Sequence, residues 1–199
     1  MSNKLNVPDY VKEIKNGTYT IDTAIKRILD ENSITSPPVN VFKIARNMNF
    51  DLFSMEFKDN DIKGIMVDSK DSFLPFNSKR FIVINKKDYN TRQLFTMGHE
   101  IGHFILHCDE DANFYERYTD NKHCNGNSKS EKIEKQADFF SASLLMPSAW
   151  VDDFILKLKI KTPNIERNTI IKLMSNHFFV SEETARRRLL EREKANKTL

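Results

Sequence analysis

The chain has only two cysteines, Cys108 and Cys124, too few for a disulfide framework, and this points to the reducing cytoplasm as its compartment. The opening stretch MSNKLNVPDYVKEIKNG carries no apolar core of the kind a secretory signal needs. No uninterrupted apolar run approaches the length of a bilayer span, so no membrane partner is expected. A charge excess is also missing. Thirty-one basic against 28 acidic residues leave a formal net charge of +3, too little by itself to mark a nucleic-acid binder. There is no internal repeat.

What is present is the material of a globular protein. The 199 residues suffice for one substantial core, 39% are hydrophobic, 30% are charged, and 15 phenylalanines suit a packed interior. The basic surplus is uneven: Arg186, Arg187, Arg188, Arg192, Lys194 and Lys197 crowd the C-terminus against Glu191 and Glu193.

Apolar residues at 21, 24, 25, 28 and 29 recur at helical spacing and predict a helix that stops near Glu31-Asn32, ahead of Pro37-Pro38. Asn40 reads as the N-cap of a short second helix with Val41, Ile44, Ala45 and Met48 on its buried side. Residues 50–53, 64–67 and 80–85 are short, rich in β-branched or aromatic side chains and divided by polar turns, as strands are. A helical period returns over Thr91–His107. Residues 108–130, rich in Asp, Asn, Gly and Ser, read as one long loop. A second strong helix is expected from Ser130 to Met146-Pro147, followed by helices around Asn168–His177 and from Ser181. The fold class is α+β, a small mixed or antiparallel sheet with a buried helix at its centre. Its expected parts are an N-terminal helical segment (1–36), a central domain (37–160) and a C-terminal helical segment with helix-turn-helix character (161–199).

The chemistry lies in His99-Glu100-Ile101-Gly102-His103, an HExxH motif inside a helical pattern. Residues four apart share a helix face, so both imidazoles can hold one tetrahedral zinc ion. Glu100 then stands where a general base is needed, and zinc brings the pKa of a coordinated water down towards about 7. Surface decoration is the plainer reading of a histidine pair. It fits poorly here, because Phe95, Ile101, Phe104 and Ile105 bracket the motif and imply a buried helix, where polar groups need partners.

A catalytic zinc takes a third protein ligand and keeps a fourth position open. His107 would lie about 12 Å along the axis from His99 if the helix continues, so it reads as a pocket-wall residue or a support for a ligand. Glu134 is the better candidate. Four residues on, Asp138 could accept a hydrogen bond from a ligating histidine and fix its tautomer. Two His-Cys pairs, His107-Cys108 and His123-Cys124, form a rival site, but adjacent residues rarely chelate one ion comfortably. Tyr115, Tyr118, His107 and His123 are candidates for stabilising an oxyanion, and the sequence does not choose among them.

These blocks resemble the ImmA/IrrE-type metallo-endopeptidases. The likeness rests on Pro37-Pro38-Val39-Asn40 before a short helix, the strand ending Ile84-Asn85, the run Arg92 to His107 around HExxH, and Glu134-Lys135-Gln136-Ala137-Asp138 through Met146-Pro147. Order and spacing agree over about 35–190, and residues 1–34 fall outside the likeness. The resemblance implies a zincin-like fold, one zinc ion per chain on His99, His103 and Glu134, and Glu100 as catalytic base. It also implies a substrate class: helix-turn-helix repressors encoded beside the peptidase in mobile elements, prophages or stress operons. Gly98 and Ser141 stand where the family more often has alanine; both are small, and no chemical consequence is expected.

The segment Phe178 to Leu189 resembles the turn and second helix of a helix-turn-helix unit. A DNA reading would set Arg186, Arg187 and Arg188 at phosphates or base edges. The modest charge favours the alternative, in which Ala185, Leu189 and Leu190 pack on the core and the arginines are solvated. Function thus divides between an enzyme that cleaves a regulatory protein and a non-catalytic, zinc-stabilised regulator that sequesters a repressor or binds DNA.

Overall fold

The computed structural model describes residues 20–59, 62–73, 75–107, 114–118 and 128–197. Helix α1 (Ile21–Glu31) starts where the Thr20 hydroxyl accepts the N–H of Thr23, and buries Ala24, Ile25, Ile28 and Leu29. It ends at Asn32, whose side-chain amide donates to Ile28 O at 2.7 Å. The Pro37–Pro38 peptide is cis. Asn40 caps α2 (Val41–Asn47) by accepting from Lys43 N, with Val41, Ile44 and Ala45 buried.

The strands β1 (Asp51–Met55), β2 (Gly64–Phe73), β3 (Ser78–Asn85) and β4 (Phe114–Tyr118) form one mixed sheet in the order β1-β3-β2-β4. β1 runs parallel to β3, in register Asp51 with Phe81; β2 is antiparallel to both β3 and β4, pairing Gly64 with Ile84 and Ile65 with Tyr118. The two-residue period of a strand divides the sheet's side chains between two clusters. Met66, Ile82 and Ile84 join the main core with Met97, Ile101 and Phe104, while Val67, Phe81 and Val83 meet Phe57 in a smaller one. Two expectations change here. β2 runs six residues past Val67, through the charged pair Lys70-Asp71, and β4 occupies part of the stretch read as a continuous loop.

Asp68 and Arg80 explain how β2 carries a charge into the interior. Both oxygens of Asp68 accept from Arg80, at 3.0 Å from Nε and 2.9 Å from a terminal nitrogen, and the other terminal nitrogen donates to Met48 O. The guanidinium also lies 5.1 Å from the Phe104 ring centre, so the pair is stacked behind the motif helix.

The remaining layer is helical: α3 (Asn90–His107), α4 (Ser128–Leu145), α5 (Ser148–Lys161), α6 (Arg167–Phe178) and α7 (Glu182–Lys197). No helix is expected from the sequence where α5 lies. One hydrophobic cluster runs from Ile25 of α1 through Ile101, Phe104 and Phe140 to Met174, Phe178 and Leu189 of α6 and α7. No single described helix is long and apolar enough to cross a membrane. The pair Glu131–Leu145 and Ser148–Lys161 meets the composition of a broken span with a 54° bend, yet Phe140, Leu144, Leu145 and Val151 of that pair are already in the protein core.

At the C-terminus, Ala185 and Leu189 are buried as expected, but Leu190 is exposed. Arg188, expected in solvent with its neighbours, is 1% exposed. It donates to Met146 O and Ser148 Oγ at the α4–α5 junction and to Glu191 on its own helix, so the burial of its charge is compensated.

Candidate metal centre

The centre is built by two helices. On α3, Thr96 through Ile105 are all buried, and the four-residue spacing sets the His99 and His103 rings edge to face with centres 4.5 Å apart. On α4, the same spacing brings Glu134 and Asp138 against them. The helices approach closely because α3 is glycine at positions 98 and 102. A β-carbon at 102 would fall 3.2 Å from Phe140 Cβ and 3.3 Å from Ala137 Cα.

His99 Nδ1 and Asp138 Oδ1 are 2.9 Å apart, which assigns the imidazole proton to Nδ1 and leaves the Nε2 lone pair facing inward. His99 Nε2 lies 2.8 Å from His103 Nε2 and 3.2 Å from Glu134 Oε2, and Glu134 Oε1 lies 3.6 Å from His103 Nε2. Donors about 2.0–2.1 Å from a tetrahedral zinc stand about 3.3 Å from one another, so these separations match a shared ion. The three donor atoms fall within 4.8 Å of each other, and His99, His103 and Glu134 could therefore hold a metal ion. Among the described residues the donors are two nitrogens and one carboxylate, a set that catalytic rather than closed structural zinc sites use.

Glu100, next to His99, is 0% exposed. Its surroundings include a residue that the sequence reading passed over: a β-carbon on Gly64, at the head of β2, would fall 2.8 Å from Glu100 Oε1 and 2.7 Å from Thr96 Cγ2. The signal was a glycine opening a strand pattern, which marks a close approach.

Not every candidate lies in the group. His107, at the end of α3, has its ring 5.6 Å from that of His103 and is not among the three donors. Asp138 reaches the centre from the surface: its side chain is 52% exposed, and its neighbour Phe139 is 40% exposed. Tyr115 and Tyr118 lie on β4, paired with Asp68 and Ile65 of β2; the positions of their side chains lie outside the described residues. His123, Cys108 and Cys124, and with them the rival His-Cys site, also lie outside the described residues.

The fold and the donor set together define a zincin-like α+β domain with a metal-binding group shared by two helices. The chain belongs to the peptidase M78 family, its residues 45–190 matching the IrrE N-terminal-like domain. It is similar in fold to a solved structure described as a Mycobacterium tuberculosis transcriptional regulator, with a TM-score of 0.51 and 11% identity. That similarity covers 89% of this chain and 49% of the other, so this chain spans about half the length of the regulator. No curated protein matches the chain.

Proposed function

We propose that this chain is a zinc-dependent metallo-endopeptidase that cuts a regulatory protein, a helix-turn-helix repressor of a mobile element, prophage or stress operon. The observation that carries the proposal is the convergence of His99 Nε2, His103 Nε2 and the Glu134 carboxylate, with buried Glu100 beside them on α3. Zinc held by His99, His103 and Glu134 would supply Lewis acidity for the scissile carbonyl and for water. The chain's own residues do the rest. Asp138 holds His99 in the tautomer that presents Nε2. Glu100 takes a proton from the attacking water as its oxygen bonds to the carbonyl carbon. It then delivers that proton to the departing nitrogen as the C–N bond breaks, giving a carboxylate and an amine.

The surroundings of the C-terminal arginines favour a protein rather than DNA as partner. Arg188 is buried, and Arg187 bonds Glu183 at 2.7 Å. The test is to incubate the zinc-loaded chain with the repressor encoded beside it and read cleavage by mass spectrometry. Glu100→Gln is expected to keep zinc and fold yet abolish cleavage; undiminished cleavage removes Glu100 as base. Derepression in cells that survives Glu100→Gln would instead identify a sequestering regulator.

A further inference from the structure

The α3–α4 crossing contains a contact between two small residues that does more than leave room. A β-carbon at position 98 would fall 2.7 Å from Ser141 Oγ and 3.4 Å from Ser141 Cβ, so the serine hydroxyl fills the volume that glycine leaves. Ser141 is fully buried, and its hydroxyl donates to Phe95 O at 2.7 Å. In an α-helix the carbonyl of residue 95 is the acceptor for the N–H of residue 99. One carbonyl therefore ties α4 to the turn of α3 that presents His99. On α4, Ser141 lies three residues beyond Asp138, which holds His99 Nδ1, and seven beyond Glu134. All three lie within two turns of one helix face.

We infer that Gly98 and Ser141 are a coupled positioning pair that sets the distance between α3 and α4 and thereby the separation of Glu134 from the two histidine nitrogens. The inference rests on reading His99, His103 and Glu134 as metal ligands. Metal sites tolerate donor displacements of about 0.2 Å. An ordinary carbon–oxygen contact needs about 3.3 Å, so a methyl group at 98 drives the helices apart by roughly 0.5 Å or turns the Ser141 hydroxyl off Phe95. Either outcome loosens the donor group.

The test is cobalt(II) titration of the metal-stripped full chain, following the visible bands of the bound ion, with zinc affinity measured by competition against a chelator. Ser141→Ala is expected to weaken binding roughly three- to tenfold, and Gly98→Ala about tenfold or more with an altered cobalt spectrum. The double variant, in which the new methyl at 98 occupies the space vacated by the hydroxyl, is expected within about threefold of wild type and with its spectrum. A merely structural contact would shift melting temperature and leave the cobalt spectrum unmoved. Wild-type affinity and spectrum in Gly98→Ala overturn the inference, as does a double variant as weak as the product of the singles. If Gly98→Ala does not fold, a double variant weaker than Ser141→Ala overturns it. A wild-type chain that takes up no cobalt overturns the metal centre and this inference with it, whereas loss of cleavage alone touches neither.

Discussion

Gly64→Ala separates catalysis from folding. The added methyl meets two side-chain ends, Thr96 Cγ2 at 2.7 Å and Glu100 Oε1 at 2.8 Å, rather than fixed backbone. Both side chains are buried and Thr96 is β-branched, so the methyl should cost about 1–3 kcal/mol of stability, offset in part by the chain entropy it removes from the unfolded state. Glu100 has little choice in where it goes, being 0% exposed. To restore an ordinary contact of about 3.3 Å its carboxylate retreats roughly 0.5 Å. A 1 Å misplacement in an active site costs about a hundredfold in rate, so half that distance predicts a loss of about tenfold in kcat. The methyl does not reach His99, His103 or Glu134, and zinc content and affinity should stay at wild-type values. The assays are urea denaturation, zinc by elemental mass spectrometry, and the time course of repressor cleavage. Cleavage at the wild-type rate would refute the placement of Glu100 against β2. Parallel loss of zinc and activity would show that the methyl acts on the helix and not on the carboxylate.

Two further outcomes follow from single contacts. Asp138→Ala removes the acceptor at His99 Nδ1; with that carboxylate 52% exposed, zinc affinity should fall about tenfold, the lower end for partners of a ligand, with little change in melting temperature. Asp68→Asn breaks a pair whose side chains are 0% and 8% exposed, leaving Arg80 charged and under-compensated. The expected loss is about 3–5 kcal/mol in urea denaturation, a melting-point drop of roughly 10 °C, and a loss under 1 kcal/mol would contradict the burial of that charge.

The parts that were legible in the sequence are those fixed by local periodicity. α1 declares itself through residues 24, 25, 28 and 29, α2 through the Asn40 cap, and α3 through an unbroken buried run. The approach of Glu134 and Asp138 to the histidines was legible for the same reason, since two i,i+4 pairs on two apolar-sided helices can meet. α5 was not, because Leu156-Lys157-Leu158-Lys159-Ile160-Lys161 alternates with a period of two and only Val151 of the helix is fully buried. Pro147 reads there as the end of one helix, whereas it is the N-cap position of the next. The full length of β2 was hidden by Asp68, whose burial depends on Arg80 twelve residues away. Gly98 and Ser141 illustrate the limit most sharply. Each reads locally as a small residue of no chemical consequence, and their contact exists only once α4 is laid on α3.

The C-terminal arginines carry this lesson into function. As sequence, Arg186-Arg187-Arg188 is the strongest nucleic-acid signal in the chain, because a run of cations after a helix-turn-helix-like turn suits phosphates. In the fold, Arg188 clamps Met146 O and Ser148 Oγ, at the exit of the helix that carries Glu134, Asp138 and Ser141. The same serine donates to Asp22 of α1, and Arg192 grips Asp152 of α5 through two hydrogen bonds of 3.1 and 2.7 Å. Three of the five N–H donors of Arg188 are taken by a carbonyl, a hydroxyl and a carboxylate, and with the residue 1% exposed a phosphate would not reach the others without breaking buried bonds. Of the run, Arg188 thus serves to hold the far end of the helix that carries Glu134, while Arg186 and Arg187 stay exposed, and through Arg188 and Arg192 α7 is tied to α4 and α5.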